Sequence, residues 1–298
     1  MNKNLVTPNF FILGAPKCGT TSLAEWLAEH PNIFMSALKE PHYYNTDHTH
    51  RVVTTKDHYS SLFKQAGPEH SVVGEASVWY LYSKEAVSQI LEDSDGKEIK
   101  FVVMLRNPSK MAYSLHEQQV FNLNEPETNF EKAWNLQEDR KLNKKVGLST
   151  RDPQLLVYGE ICKLGAQLQR LFEIVPRESV KVIVLDDMKT KAESVYRDVL
   201  TFLDVPYDNR SNFEAVNTAK VRKSPFLALI IKLLGKLKQK LKITKGFGLL
   251  NKTNAANVKN RARTPLSVEM KSMMSAYFKE DVALLSTLID RDLSHWNN

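Results

Sequence analysis

A short apolar run, Asn9-Phe-Phe-Ile-Leu13, stops at Gly14 and is followed by Ala-Pro-Lys17-Cys18-Gly19-Thr20-Thr21-Ser22. Helical spacing then begins, with Leu23, Trp26 and Leu27 on one face and Pro31 as a stop. Continuous apolarity predicts a strand covered on both faces. The chain must therefore fold with a strand–glycine loop–helix unit at its start. Two further runs, Phe101–Leu105 and Val180–Leu185, read as strands of the same kind. Asn107-Pro108 turns the first of them into a helix reaching about Phe121, since proline suits the first helical position. Pro153 opens a predicted helix through Leu155, Leu164, Leu168 and Leu171. Another helix follows from about Ala192 to Leu203, and a last one spans 266–289. Strands alternating with helices predict an α/β fold, a central parallel sheet flanked by helices. We read one P-loop-like domain over residues 1–298 with a helical C-terminal addition.

Composition narrows the class. Lys+Arg 41 against Asp+Glu 34 gives +7, with a pI of about 9.1, which suits an anionic ligand or surface. Two cysteines, Cys18 and Cys162, exclude a disulfide framework or a cysteine-rich zinc site. Residues 1–8 are polar and lack the apolar core of a signal peptide. These features predict a cytoplasmic protein, or one peripheral to the inner face of a membrane. The basic segment 224–243, with Lys232, Lys236, Lys238, Lys240 and Lys242, reads as a lid over the acceptor cleft or as a membrane contact through 226–242.

The glycine loop stands where backbone N–H groups and a helix dipole cradle an anion. Lys17 adds a cation, Gly19 allows close backbone approach, and Thr20, Thr21 and Ser22 offer hydroxyls. Gly14 and Gly19 have the separation of the nucleotide P-loop, but Thr20 stands where that motif places lysine, and Lys17 lies two residues before the second glycine. A second basic site follows the strand ending at Leu105. Arg106 forks onto phosphate and Ser114, eight residues on, adds a hydroxyl. Glu40 in Lys39-Glu40-Pro41-His42-Tyr43-Tyr44 is a candidate general base, with His42 to hold it or to polarise an acceptor.

The run Pro16-Lys17-Cys18-Gly19-Thr20-Thr21-Ser22-Leu23 resembles the 5′-phosphosulfate loop of the sulfotransferases that use 3′-phosphoadenosine 5′-phosphosulfate (PAPS). Leu105-Arg106-Asn107-Pro108 with Ser114 resembles their 3′-phosphate site. The Glu40–His42 stretch is similar to that of heparan sulfate 3-O-sulfotransferases, other carbohydrate sulfotransferases and bacterial relatives. The resemblance implies PAPS as donor and 3′,5′-bisphosphoadenosine (PAP) as product, with no metal. Lys17, Cys18, Gly19, Thr20, Thr21, Ser22, Arg106 and Ser114 would hold the donor, Lys259 and Arg261 would close over the nucleotide, and Glu40, Lys17 and His42 would carry the chemistry. The acceptor would be a hydroxyl or amine of a saccharide or glycolipid, and no nucleic acid partner is implied. Gly74–Leu81 is similar to another family segment, but Ala76 replaces its second lysine, for which Lys39 is the nearby substitute. The runner-up is a P-loop kinase, with Val182-Ile-Val-Leu-Asp186-Asp187 as a magnesium-binding strand end. Against that reading, Asp186 and Asp187 are expected to end a strand and cap the next helix.

Overall fold

A computed structural model describes residues 7–214, 220–222, 258–260 and 264–297. Its centre is a parallel sheet of β1 (Phe10–Gly14), β2 (Ile33–Met35), β3 (Val72–Ala76), β4 (Lys100–Leu105) and β5 (Val180–Val184), in the order β2-β3-β1-β4-β5. Every residue of β1 and β3 is buried, as are five of the six in β4. Successive side chains point to opposite faces, so such strands are covered on both sides. The fold is the expected α/β sheet flanked by helices.

Two strands escape the sequence pattern. β2 has only three residues, two of them half-buried. β3 carries Gly74 and Glu75 inside a fully buried strand, which breaks its apolar run. Gly74 is required there: a Cβ would lie 2.5 Å from Met35 Sδ and 2.7 Å from the Phe10 ring.

The helices among the described residues are α1 (Thr20–Ala28), α2 (Lys56–Ser61), α3 (Ala86–Asp93), α4 (Pro108–Phe121), α5 (Phe130–Asn135), α6 (Gln137–Lys141), α7 (Tyr158–Ile161), α8 (Leu164–Ile174), α9 (Leu185–Thr190), α10 (Ala192–Phe202) and α11 (Val268–Leu288). The expected single helix from Pro153 is instead a 3₁₀ turn, Pro153–Leu156, followed by α7 and α8. The break has a tertiary cause. Asp281 of α11 accepts the Gly165 and Ala166 amides, both at 2.9 Å, and so starts α8 afresh. The last helix is itself core: Met274, Phe278, Val282 and Leu285 are at most 1% exposed.

The chain divides into two compact units, each drawn from separated stretches: residues 1–112, 159–216 and 271–298, and residues 113–158 and 217–270. The first unit contains the whole five-stranded sheet. The second contains α5, α6 and an antiparallel pair, β6 (Lys220–Arg222) and β7 (Val258–Asn260). At its centre Glu125 is bound by Arg140 Nη2 at 2.6 Å and by Tyr158 Oη at 2.7 Å. Tyr113 Oη donates to the Thr264 carbonyl, and Glu131 accepts the Ser267 amide, which ties its two stretches together. No helix among the described residues is long and apolar enough to cross a membrane.

Candidate active site

From β1 the chain runs out to β2, returns as β3 beside β1, and crosses to β4 on the other side. Parallel sheets bind ligands beyond the carboxyl ends of their strands at such a reversal. Four loops of the first unit open there, after β1, β2, β3 and β4.

The loop after β1 is shaped by two glycines. A Cβ on Gly14 would lie 2.4 Å from the Val78 carbonyl oxygen. Gly19, at φ 91°, is the residue before α1 and has no side chain to cap its first amides. Helix N-termini leave those amides without intrahelical partners, an anion-seeking arrangement. Lys17 adopts φ 64°, and Arg106 Nη1 donates to its carbonyl at 2.9 Å. Arg106 therefore braces the glycine loop directly, a role its sequence context did not announce.

Cys18 turns its side chain into the core. Its thiol is fully buried against the Pro16 carbonyl and Met111 Sδ, its amide bonds the Ala15 carbonyl, and burial pushes its pKa up to about 12. Thr20 and Ser22 are buried at the start of α1, whereas Thr21 Oγ1 accepts a hydrogen bond from Lys39 Nζ at 2.5 Å. Lys39 Nζ also lies 4.0 Å from Glu40 Oε1. One ammonium thus links the head of the first helix to Glu40.

Glu40 and His42 lie 3.5 Å apart, Oε2 to Nε2. Both have left-handed backbones, φ 54° and 49°, and such non-glycine conformations cost about 1–3 kcal/mol each. Their partners hold them there. The Glu40 amide donates to the Ala76 carbonyl at 3.1 Å, and the His42 amide donates to Ser77 Oγ at 3.1 Å. Burial alone would push the Glu40 carboxyl up. The hydrogen bond and charge of His42, then Lys39 and Lys17, outweigh it and hold the carboxyl below its ordinary range. Glu40 is therefore ionised at neutral pH with 32% of its side chain exposed, as a proton acceptor needs.

Behind this segment stand Glu75, Tyr59, Tyr44 and Tyr80, all buried. Trp79 is also buried, so Trp79 and Tyr80 are wall and core. Tyr43 is half-buried, stacked on Tyr59 with ring centroids 4.3 Å apart.

Arg106 follows β4 directly. Asn107 caps α4 through Oδ1, which accepts the Lys110 amide at 3.1 Å, and its Nδ2 donates to the Trp296 carbonyl at 2.9 Å. Asp can cap but cannot donate, so the amide has a reason here. Ser114 is buried within α4. Lys259 is the middle residue of β7, opposite Val221. Arg261 and the basic segment 224–243 lie outside the described residues. Asp186 and Asp187 fall inside the first turn of α9 rather than before it. Asp187 pairs with Arg291 and Asp186 accepts from Lys189 at 3.0 Å, so both carboxylates are engaged in ion pairs.

The sulfotransferase domain profile matches residues 7–247, which covers all four of these loops. The chain belongs to the sulfotransferase family. A solved relative, the sulfotransferase from Alicyclobacillus acidocaldarius, is 27% identical with a TM-score of 0.74, covering 98% of this chain and 100% of its own. Mouse sulfotransferase SULT7A1, solved with PAP, shares the fold at 13% identity and a TM-score of 0.51, covering 95% of this chain and 87% of its own. Carbohydrate sulfotransferase 15 of Mus musculus is 30% identical over 36% of this chain and 26% of its own length. The membrane-associated sulfotransferase kil1 of Dictyostelium discoideum is 30% identical over 38% of this chain and 23% of its own. The matched region thus spans about a quarter of these two relatives. Sulfotransferase membership removes the kinase alternative, and the engaged aspartates agree with that.

Proposed function

We propose that the protein transfers the sulfuryl group of PAPS to a hydroxyl or amine of a saccharide or glycolipid. The observation that carries this reading is Lys39, whose ammonium reaches both Thr21 of the anion-seeking helix start and the Glu40 carboxylate. It brings the donor loop and the acid–base segment together at one cation, and it supports Lys39 as the substitute for the lysine absent at Ala76. The absence of a Cβ at Gly19 and the uncapped start of α1 suit a donor phosphate.

In this reading the acceptor oxygen or nitrogen attacks sulfur in line and gives its proton to Glu40. The bond from sulfur to the bridging oxygen breaks, and PAP departs. Lys17 offsets the charge that grows on that oxygen. His42 orients Glu40. Arg106 and Ser114, with Lys259 and Arg261, bind the 3′-phosphate and close over the nucleotide. The carbohydrate sulfotransferase relative supports a saccharide acceptor. Cytoplasmic placement, and the choice between lid and membrane contact for 226–242, rest on sequence composition.

Calorimetric titration with PAP, 5′-AMP and Mg-ATP tests the donor. Charged hydrogen bonds of about 1.5–3 kcal/mol each imply roughly a hundredfold or greater preference for PAP over 5′-AMP, lost in Arg106→Ala. Equal affinities would remove the 3′-phosphate site. Radiolabelled PAPS offered with saccharides, glycolipids and simple alcohols identifies the acceptor. With that acceptor, Glu40→Gln should lower turnover about 10²–10⁴-fold while PAP binding holds. If His42→Ala abolishes turnover and Glu40→Gln does not, the two roles exchange.

A further inference from the structure

Glu75 has no place in the chemistry above, yet it is fully buried at the carboxyl end of β3 and is surrounded by hydroxyls. Its Oε2 accepts from Tyr59 Oη and from Tyr80 Oη, each at 3.0 Å. Ser77 also bears on this carboxyl, and no Lys, Arg or His among the described residues forms an ion pair with it. Tyr80 Oη also accepts the Tyr43 amide at 2.9 Å and the Tyr44 amide at 3.2 Å. With both acceptor positions filled, the Tyr80 proton must go to Glu75. The result is a relay from Glu75 through Tyr80 to the backbone immediately after His42.

We propose that Glu75 is a positioning residue for sulfuryl transfer: through Tyr80 it fixes the backbone that follows Glu40 and His42, and its charge is felt at Glu40. The inference rests on the reading of Glu40 as the base. Two carboxyls of one site have been pushed apart by their surroundings, which is how acid and base roles separate. Burial, offset in part by the hydroxyls of Ser77, Tyr59 and Tyr80 and reinforced by the charge of Glu40, raises the Glu75 pKa from 4.5 to about 7. Glu40 stays ionised and Glu75 carries a proton through the slightly acidic range. Once Glu75 ionises, its bond from Tyr80 becomes charge-assisted and shorter, and its field makes Glu40 more basic.

The groups that face Glu75 are few. Tyr59 comes from α2, Glu40 and Tyr44 from the loop after β2, and Ser77 and Tyr80 from the segment after β3. Its sheet neighbour on β1 is Phe11, which does not titrate.

The test follows carboxyl carbon resonances in the full chain labelled at glutamate Cδ, with Glu40→Gln and Glu75→Gln to assign the two signals. Glu75 should titrate near pH 7. The Glu40 signal should show its own step below the ordinary carboxylate range and a second inflection near pH 7 that disappears in Glu75→Gln. In Tyr80→Phe the amides of Tyr43 and Tyr44 should exchange with solvent at least tenfold faster. Glu75 titrating in the ordinary carboxylate range, or a Glu40 curve identical in wild type and Glu75→Gln, overturns the proposal. If Glu75→Gln fails to fold, a single Glu40 inflection in wild type is enough to overturn it. None of these readouts uses an acceptor, so they fail or succeed separately from the loss of turnover in Glu40→Gln.

Discussion

Glu75 and Glu125 are buried carboxyls from different units of the molecule, and they are satisfied in opposite ways. Glu125 faces a guanidinium at 2.6 Å, whereas Glu75 faces hydroxyls and, among the described residues, no cation. Burial raises both, and for Glu125 it outweighs the Tyr158 hydrogen bond and the Arg140 charge. A fixed counter-ion commits a carboxylate to scaffolding, because losing either partner strands a buried charge. A carboxyl held by hydroxyls alone can change its proton count near neutral pH without breaking its hydrogen bonds. The first arrangement organises helices; the second sits beside Glu40 and His42.

The largest test of that contrast is Arg140→Ala. It strands Glu125 and removes donors to the Ala133 and Leu156 carbonyls. We expect a loss of about 3–5 kcal/mol in urea unfolding. Pairing it with Glu125→Gln should restore part of the loss, and a cost below about 1 kcal/mol for Arg140→Ala would show that the pair is not the scaffold of its unit.

Glu75→Gln comes next and has a sign that depends on pH. The folded pKa lies above the unfolded value, so the protonated state contributes stability that is present below about pH 4.5 and lost as pH rises through about 7. The shift corresponds to roughly 3 kcal/mol. Glutamine does not titrate. Relative to wild type, the variant should therefore gain about 2–3 kcal/mol between pH 5 and pH 8 in urea unfolding. A difference that stays flat with pH would remove the special status of Glu75.

Tyr80→Phe should cost about 1–3 kcal/mol, since it leaves two amides and one Glu75 bond without their hydroxyl. The smallest effect is expected for Asn107→Asp, which extends the comparison to a carboxyl placed where an amide works. The cap on Lys110 survives and the donor to the Trp296 carbonyl is lost, at about 1 kcal/mol by thermal unfolding. No change on substitution would mean that the Nδ2 bond contributes nothing.

Legibility followed the local physics. The glycine loop could be read because Gly14, Lys17 and Gly19 must satisfy backbone demands within one short stretch, and an apolar strand and an amphipathic helix mark its ends. Strands β1, β4 and β5 were visible because burial on both faces leaves an unbroken apolar run. β3 was not, since Gly74 and Glu75 interrupt that run for reasons that lie in Met35, Phe10 and the tyrosines. Glu40 and His42 stand out as candidates by their motif, while Ser77 and Tyr80, which hold the backbone around them, carry no signal of that role.

The sequence by itself determined the α/β class, the strand–glycine loop–helix unit and the sulfotransferase kinship, because each depends on residues close together in the chain. Only the tertiary structure decided that Asp281 would start α8 from 115 and 116 residues away, that Arg106 would brace Lys17, and that Lys39 would reach Thr21. It also decided that Glu75 would stand buried among hydroxyls instead of beside a cation. Proton affinity and hydrogen-bond partnership depend on what lies within a few ångströms in space, and spacing along the chain does not encode that.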